Sequence, residues 1–436
     1  MKLLSSAIIT TALLLPTAIH AQKVDADSLA GYIRLTMPGT VRECHSDTLG
    51  KFALPRPYSV PCIRDYFQDM YYWDTYFTNI GLLLSGDIEQ AQNNTEDILA
   101  MIDRFGYMPN GSNVGLLNRS QPPYASMMVR DVYQATGDRQ WLQQADSLLK
   151  KEYDFWMTQR MAPNGLNRYG HNATDQELED FFYGIYGRLQ RDPSSVTDRN
   201  DRLRIGAHLL AEAESGWDFC PRFDSRCMDF NPVDLNSNLY IYETNFAYFA
   251  RQLDLPDAKE WEKRAARRRA LMQQLMVDPV TGLYYDYDWV NDKRSEVYSA
   301  AGFSPLYAGV ANATQVKAAV ERGLPRIEAE HGIAACEDGP RTTVYQWDYP
   351  NSWAAPNLIV ITGLDRYGCR RDAMRIATKY RDAVLGIFND TDNMWEKYNA
   401  VTGGTDAKNE YGLPGSFMGW TAGAYMYAND YINRNR

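Results

Sequence analysis

The sequence predicts an all-α protein whose helices pair into successive hairpins and close into a ring around one pocket. Apolar residues recur at three-to-four spacing over long stretches, with few runs of alternating β-branched residues. Turn residues punctuate those stretches at Gly106, Pro109-Asn110-Gly111, Gly137-Asp138, Pro163-Asn164-Gly165, Pro256 and Pro325. Long aromatic, Gly-rich and Asn-rich loops over 110–124, 160–170 and 400–415 separate the helices, and loops of that length in a compact protein usually carry function. No fixed short repeat runs through the chain, which argues against an open solenoid.

The chain begins Met1-Lys2-Leu3-Leu4, continues through an apolar run at Leu13-Leu14-Leu15, and reaches Thr17-Ala18-Ile19-His20-Ala21 before Gln22. A basic start, a short apolar stretch and a small residue at the cut read as a secretory signal peptide over 1–21. The mature protein is therefore expected to be exported, either periplasmic or secreted. The apolar run is too short for a membrane span, and no later segment qualifies as one. Residues 22–64, made irregular by Pro55, Pro57 and Pro61, read as an N-terminal extension. Residues 65–436 read as a single domain, with helices predicted over 87–105, 124–136, 141–160, 239–253, 259–276, 314–330, 371–388 and 419–434.

Losing Lys2 with the leader leaves 44 basic residues against 55 acidic ones, a net charge of −11. The one basic cluster, Lys263-Arg264-Ala265-Ala266-Arg267-Arg268-Arg269, lies between Glu260-Trp261-Glu262 and Leu271-Met272 and reads as the solvated face of an amphipathic helix. Nucleic acid is not expected as a partner. Six cysteines in an exported chain permit disulfides, and Cys220 with Cys227 closes the shortest nearby loop. No Cys-x-x-Cys occurs and only four His survive the cut, so neither a metal nor another cofactor is expected.

The chemistry is concentrated in aromatic-acid steps. Trp73-Asp74, Trp217-Asp218 and Trp347-Asp348 recur far apart, where chance would supply about one, and Trp395-Glu396 follows near the end. An indole offers a flat face to a sugar ring, and a carboxylate beside it can bond hydroxyls or move protons. Each segment also has a plainer reading. Tyr71 to Phe77 could be core, although that would bury Asp74 in need of donors. The loop from Met108 through Arg119-Ser120-Gln121-Pro122-Pro123 offers amides and a guanidinium to a polyhydroxylated ligand, or uses them for its own turns. Asp218 beside Trp217 could be a general acid or a turn cap, and Glu396 beside Lys397 a general base or a surface ion pair.

Together these segments resemble the trehalase family of inverting glycosidases. Gln346-Trp347-Asp348-Tyr349-Pro350 with Trp353-Ala354 is similar to one family signature, and Pro109-Asn110-Gly111 with Arg119-Ser120-Gln121-Pro122-Pro123 is similar to another. The resemblance runs in order over roughly 65–425 and implies an (α/α)6 toroid acting on a small-molecule sugar, without cofactor, as a monomer. It implies Asp218 as general acid and Glu396 as general base. Phe67, Trp73, Asp74, Asn110, Arg119, Gln121, Trp347 and Asp348 would hold substrate, with Glu410 in a Gly-rich lid.

The chain departs from the family where substrate is held. Tyr66 stands in place of a sugar-binding Arg, and Gly170-His171-Asn172, followed by an acidic helix around 177–180, replaces an Arg-Pro-Glu-Ser block. Ser352 replaces a signature Gly, and Thr405-Asp406-Ala407-Lys408 interrupts the lid. An α-linked gluco-disaccharide or related α-glycoside is thus the expected substrate, trehalose first. Two other readings stay open: a polysaccharide lyase on a helical toroid, and a sugar-binding relative without catalysis.

Overall fold

The computed structural model describes residues 23–341, 343–407 and 415–436, so the segment read as a signal peptide lies outside it. The described chain forms fifteen α-helices: α1 (Ala26–Thr36), α2 (Tyr72–Ser85), α3 (Ile88–Phe105), α4 (Ala125–Thr136), α5 (Arg139–Gln159), α6 (Asp175–Tyr186), α7 (Arg199–Glu214), α8 (Val233–Gln252), α9 (Ala258–Leu275), α10 (Ser304–Ala308), α11 (Ala313–Ala318), α12 (Leu324–Ile327), α13 (Ala354–Arg366), α14 (Arg370–Thr391) and α15 (Gly419–Arg434). Six of them, α2, α4, α8, α10, α13 and α15, form an inner ring in which each touches the next and α15 closes back along α2. Around it lie α3, α5, α9, the α11–α12 pair, α14 and α1. This is the all-α toroid that the sequence predicts.

The N-terminal segment is part of that architecture. Helix α1 packs on α14 and α15, Tyr425 donates its hydroxyl to the Ala26 carbonyl at 2.9 Å, and Asn389 accepts the Val24 N–H at 2.8 Å. Residues read as an irregular extension therefore supply a helix of the outer layer.

Burial separates the two layers. Outer α3 shows one apolar stripe with Ala91, Ile98, Leu99 and Ile102 buried; Asp87 caps it by accepting the Gln90 N–H, and Gly106 in the left-handed region ends it. Inner α13 is buried almost without a break from Ala354 to Ile361 because it meets neighbours on all sides. In none of the six inner helices does the residue before the helix cap it with its own side chain. Behind the ring's opening the Tyr72 hydroxyl donates to Glu152 Oε1 at 2.7 Å and accepts the Tyr124 and Ala125 N–H groups at 3.1 and 3.0 Å, tying α2, α4 and α5 together.

Helices α6 and α7 pack on each other as an added hairpin between α5 and α8. They share an apolar cluster of their own, built on Ile185, Leu189, Leu209, Phe219 and Tyr345. The strands are two or three residues long, and one pair matters for the site: Asn351–Trp353 runs antiparallel to Lys397–Asn399, with Trp353 opposite Lys397. All six cysteines are free thiols, including the buried Cys220 and Cys227 that the sequence brings closest. Among the described residues no helix is long and apolar enough to cross a membrane.

Candidate active site

At the N-terminal ends of the inner helices the ring encloses a cavity of about 190 Å³, with Asp218 and Glu396 both on its wall. Helix α7 delivers the first carboxyl. Its last residue, Glu214, is fully buried and accepts the Ser120 N–H at 2.8 Å, the Gly170 N–H at 2.6 Å and both Arg160 Nε and Nη2 at 2.8 Å. These four bonds lock the end of α7 to the loops before α4 and after α5. Gly216 then turns the chain at φ 73 against Trp73, where a Cβ would fall 2.8 Å from the indole. Beneath this turn the buried Arg222 bonds Asp234 at 2.7 Å and Asp286 at 2.8 Å, with its guanidinium 4.5 Å from the Trp217 ring centre.

The second carboxyl comes from the connection between α14 and α15. Glu396 is 5% exposed, and its Oε2 accepts from Lys397 Nζ at 2.9 Å. Lys397 is fully buried and lies 4.5 Å from the centre of the Trp353 ring, so this pair is an interior one, unlike the surface contact that composition alone allowed. Thr421, in the first turn of α15, donates to the Trp395 carbonyl at 2.8 Å and fixes the preceding residue.

The loop before α4 supplies polar groups. The Asn110 N–H donates to the Arg119 carbonyl at 2.9 Å, and Gln121 Oε1 accepts the Trp73 N–H at 3.1 Å. Arg119 donates from Nη1 to Asn118 Oδ1 at 2.8 Å, and its guanidinium lies 5.7 Å from the Phe181 ring centre on α6. Its Nε is buried without a hydrogen-bond partner. Burial pulls the Arg119 pKa down, and nearby Asp218 partly offsets that. Across the cavity the Asp74 carboxyl is pushed up to about 7, first by burial and then by the charge of Glu396.

The indoles form a floor. Trp347 and Trp353 stack 3.9 Å apart at 3°, Trp217 lies 4.9 Å and Trp73 5.4 Å from Trp347, and Trp420 sits edge-on at 5.8 Å to both Trp73 and Trp353. Most of each ring thus faces another indole, and Trp217 supports the wall from behind.

Phe67, Trp73, Asp74, Asn110, Arg119, Gln121 and Trp347 share one wall with Asp218 and Glu396. Phe67 adopts φ 50, the left-handed region uncommon for an aromatic residue. Asp348 does not line the cavity: it is 2% exposed and accepts from Arg341 Nε at 2.9 Å and Nη2 at 3.2 Å, holding the loop beneath. Glu410 lies outside the described residues. Tyr71, Gln346, Trp353 and Trp420 also line the cavity without having been singled out as site residues. For Trp420 a signal existed, since it opens its helix as Trp73 opens α2. Among the described residues no three His, Cys, Asp or Glu side chains converge as a metal site.

The trehalase family model matches residues 20–433. The chain belongs to the trehalase family. It is 31% identical over 428 residues to the periplasmic trehalase of Xanthomonas axonopodis pv. citri (strain 306), covering 92% of this chain and 72% of that one. The structure of the neutral trehalase Nth1 from Saccharomyces cerevisiae superposes with a TM-score of 0.75 at 26% identity, covering 93% of this chain and 80% of that one. A GH63 mannosylglycerate hydrolase from Thermus thermophilus, 17% identical with a TM-score of 0.63 over 93% of this chain and 100% of that one, shares the toroid. This member of the trehalase family is accordingly a glycoside hydrolase, which sets aside the lyase and the non-catalytic readings.

Proposed function

We propose that the protein is exported and hydrolyses an α-linked gluco-disaccharide or related α-glycoside with inversion, trehalose being the first substrate to test. The observation that carries this reading is the meeting of Asp218 and Glu396, from distant parts of the chain, on one cavity whose wall also holds Asp74 and Arg119. Asp218 gives its proton to the departing glycosidic oxygen as the C–O bond breaks. Glu396 takes a proton from the water that attacks the anomeric carbon from the opposite face, so the new hydroxyl has inverted configuration. Inversion requires the two carboxyls roughly 6.5–9.5 Å apart, leaving space for that water. The buried, unpartnered Nε of Arg119 suits a ligand that presents several acceptors.

At about 190 Å³ the cavity is smaller than the ~300–1,000 Å³ that encloses drug-sized ligands, so it accommodates one sugar ring, with the leaving group toward the opening. In the loop that replaces the family's charged block, the Gly170 N–H is engaged by Glu214, and Asn172 accepts from Arg160 Nη2 at 3.0 Å. Those groups are occupied internally, which favours a leaving-group preference different from that of relatives with free charges there. The basic-apolar start of the chain and the periplasmic relative support export.

The test is turnover by purified Asp218→Asn and Glu396→Gln proteins on trehalose, kojibiose, nigerose, maltose and isomaltose, with the first-formed anomer followed by NMR. Loss of turnover with retained sugar binding is expected from both variants. Wild-type rates in either, or a product of retained configuration, would reject the mechanism.

A further inference from the structure

One side chain joins the supports of the two carboxyls. Gln346 is 1% exposed; its Nε2 donates to the main-chain carbonyl of Asp218, and its Oε1 accepts from Lys397 Nζ at 3.0 Å. Lys397 in turn donates to Glu396 Oε2. The chemistry dictates this orientation of the amide, because an ammonium only donates and a carbonyl only accepts. The main chain around Gln346 is anchored as well: its carbonyl accepts Asn351 Nδ2 at 2.7 Å and Trp353 Nε1 at 3.2 Å, and the next residue's N–H donates to the Phe219 carbonyl at 3.1 Å. The amide is thus a short rigid crosspiece between the loop carrying Asp218 and the strand that starts beside Glu396.

We propose that Gln346 and Lys397 are positioning residues that fix the separation and aim of Asp218 and Glu396, an inference that rests on those two being acid and base. The separation matters because a water molecule must fit between the base and the sugar, and a misplacement of about 1 Å can cost 10²-fold in rate. Gln346 works through the Asp218 main chain and Lys397 through the Glu396 carboxylate. Breaking either bond frees the same crosspiece, so damage to the two residues is shared.

The experiment is steady-state kinetics of Gln346→Ala, Gln346→Glu, Lys397→Met, Lys397→Arg and the Gln346→Ala/Lys397→Met double variant on the best substrate of the panel. Thermal unfolding and binding of glucose by calorimetry are recorded for each. Gln346→Glu keeps size and the acceptor for Lys397 but sets an oxygen against the Asp218 carbonyl. It is expected to lose about 10²-fold in kcat with KM nearly unchanged, as are Gln346→Ala and Lys397→Met. Lys397→Arg recovers part of the loss, and the double variant is no slower than the worse single one, which is the non-additivity of a single broken link. A Gln346→Glu protein with wild-type kcat, fully additive losses, or losses confined to KM would overturn the proposal. Failure of Gln346→Glu to fold would also overturn it, because the residue would then hold the fold and not the site. Active Asp218→Asn or Glu396→Gln proteins would instead remove the acid and base assignment on which the inference stands.

Discussion

Gly423 of α15 meets Gly81 of α2 so closely that a Cβ added to Gly81 would fall 2.8 Å from the Gly423 Cα, and one added to Gly423 would fall 2.0 Å from the Phe77 carbonyl oxygen. This is where the last inner helix closes the ring on the first. Neither contact atom is a flexible side-chain end, so a methyl group must force the helices apart. Gly423→Ala is expected to destabilise by at least the ~1–3 kcal/mol typical of overpacking, and to lower activity because α15 carries Trp420 into the cavity. Urea unfolding checks it, and an unchanged midpoint would contradict the joint described.

Asp97 gives a prediction away from the site. It is fully buried, accepts the Arg56 N–H at 2.9 Å through Oδ1, and has no partner at Oδ2; burial, only partly offset by that bond, pushes its pKa up to about 8. The folded state therefore holds this proton at pH values where the unfolded chain has released it. Its contribution to stability falls as pH rises between about 4 and 8 and levels off above that. Glu152, raised to about 7 chiefly by burial, contributes in the same direction. Asp97→Asn should match the wild type near pH 4 and exceed it by about 1–3 kcal/mol at pH 8, read from melting curves across that range.

Asp74 carries the corresponding prediction for activity. With its carboxyl at about 7 in the free enzyme, the share able to accept sugar hydroxyls as an anion grows as pH rises through neutrality. The profile of kcat/KM should show a rising limb near pH 7. In Asp74→Asn that limb disappears and kcat/KM stays near the wild type's low-pH level. A limb at the same pH in the variant would assign it to another group.

Phe181 is expected to tune affinity. Its ring supports the Arg119 guanidinium from α6, the hairpin peculiar to this part of the chain. Phe181→Ala should raise KM by about 2- to 5-fold, the worth of one cation–π contact, and leave kcat unchanged. A larger fall in kcat than rise in KM would show that α6 also shapes the acid loop.

Outer helices α3 and α14 are legible in the sequence because one side faces water. The predicted spans 87–105 and 371–388 lie within one or a few residues of α3 and α14, where polar and apolar faces alternate and Asp87 or Gly106 marks an end. Inner α13 escapes the pattern because Leu358, Ile359, Val360 and Ile361 are buried in succession, leaving no polar face to set a period. Helix α7 escapes for another reason: its early residues are polar, while Glu212 and Glu214 near its end are buried as hydrogen-bonding partners. At the site, the aromatic-acid steps mark where carboxyls lie but not which way they turn. Asp74 and Asp348 follow identical Trp neighbours, yet one faces the cavity and the other faces Arg341, seven residues upstream of it.

The starts of the inner helices have an electrostatic consequence. Each helix start carries roughly half a positive charge, and in none of the six does the residue before the helix bond it with its own side chain; Gln121 at Trp73, Tyr72 at Ala125 and Asp286 at Val233 reach the first turns from elsewhere in the chain. Walls of the cavity come from the first turns of α2 and α15 and from the residue that precedes α13. Peptide dipoles from three helix starts therefore face the pocket, and against them burial still holds the Asp74 carboxyl up at about 7.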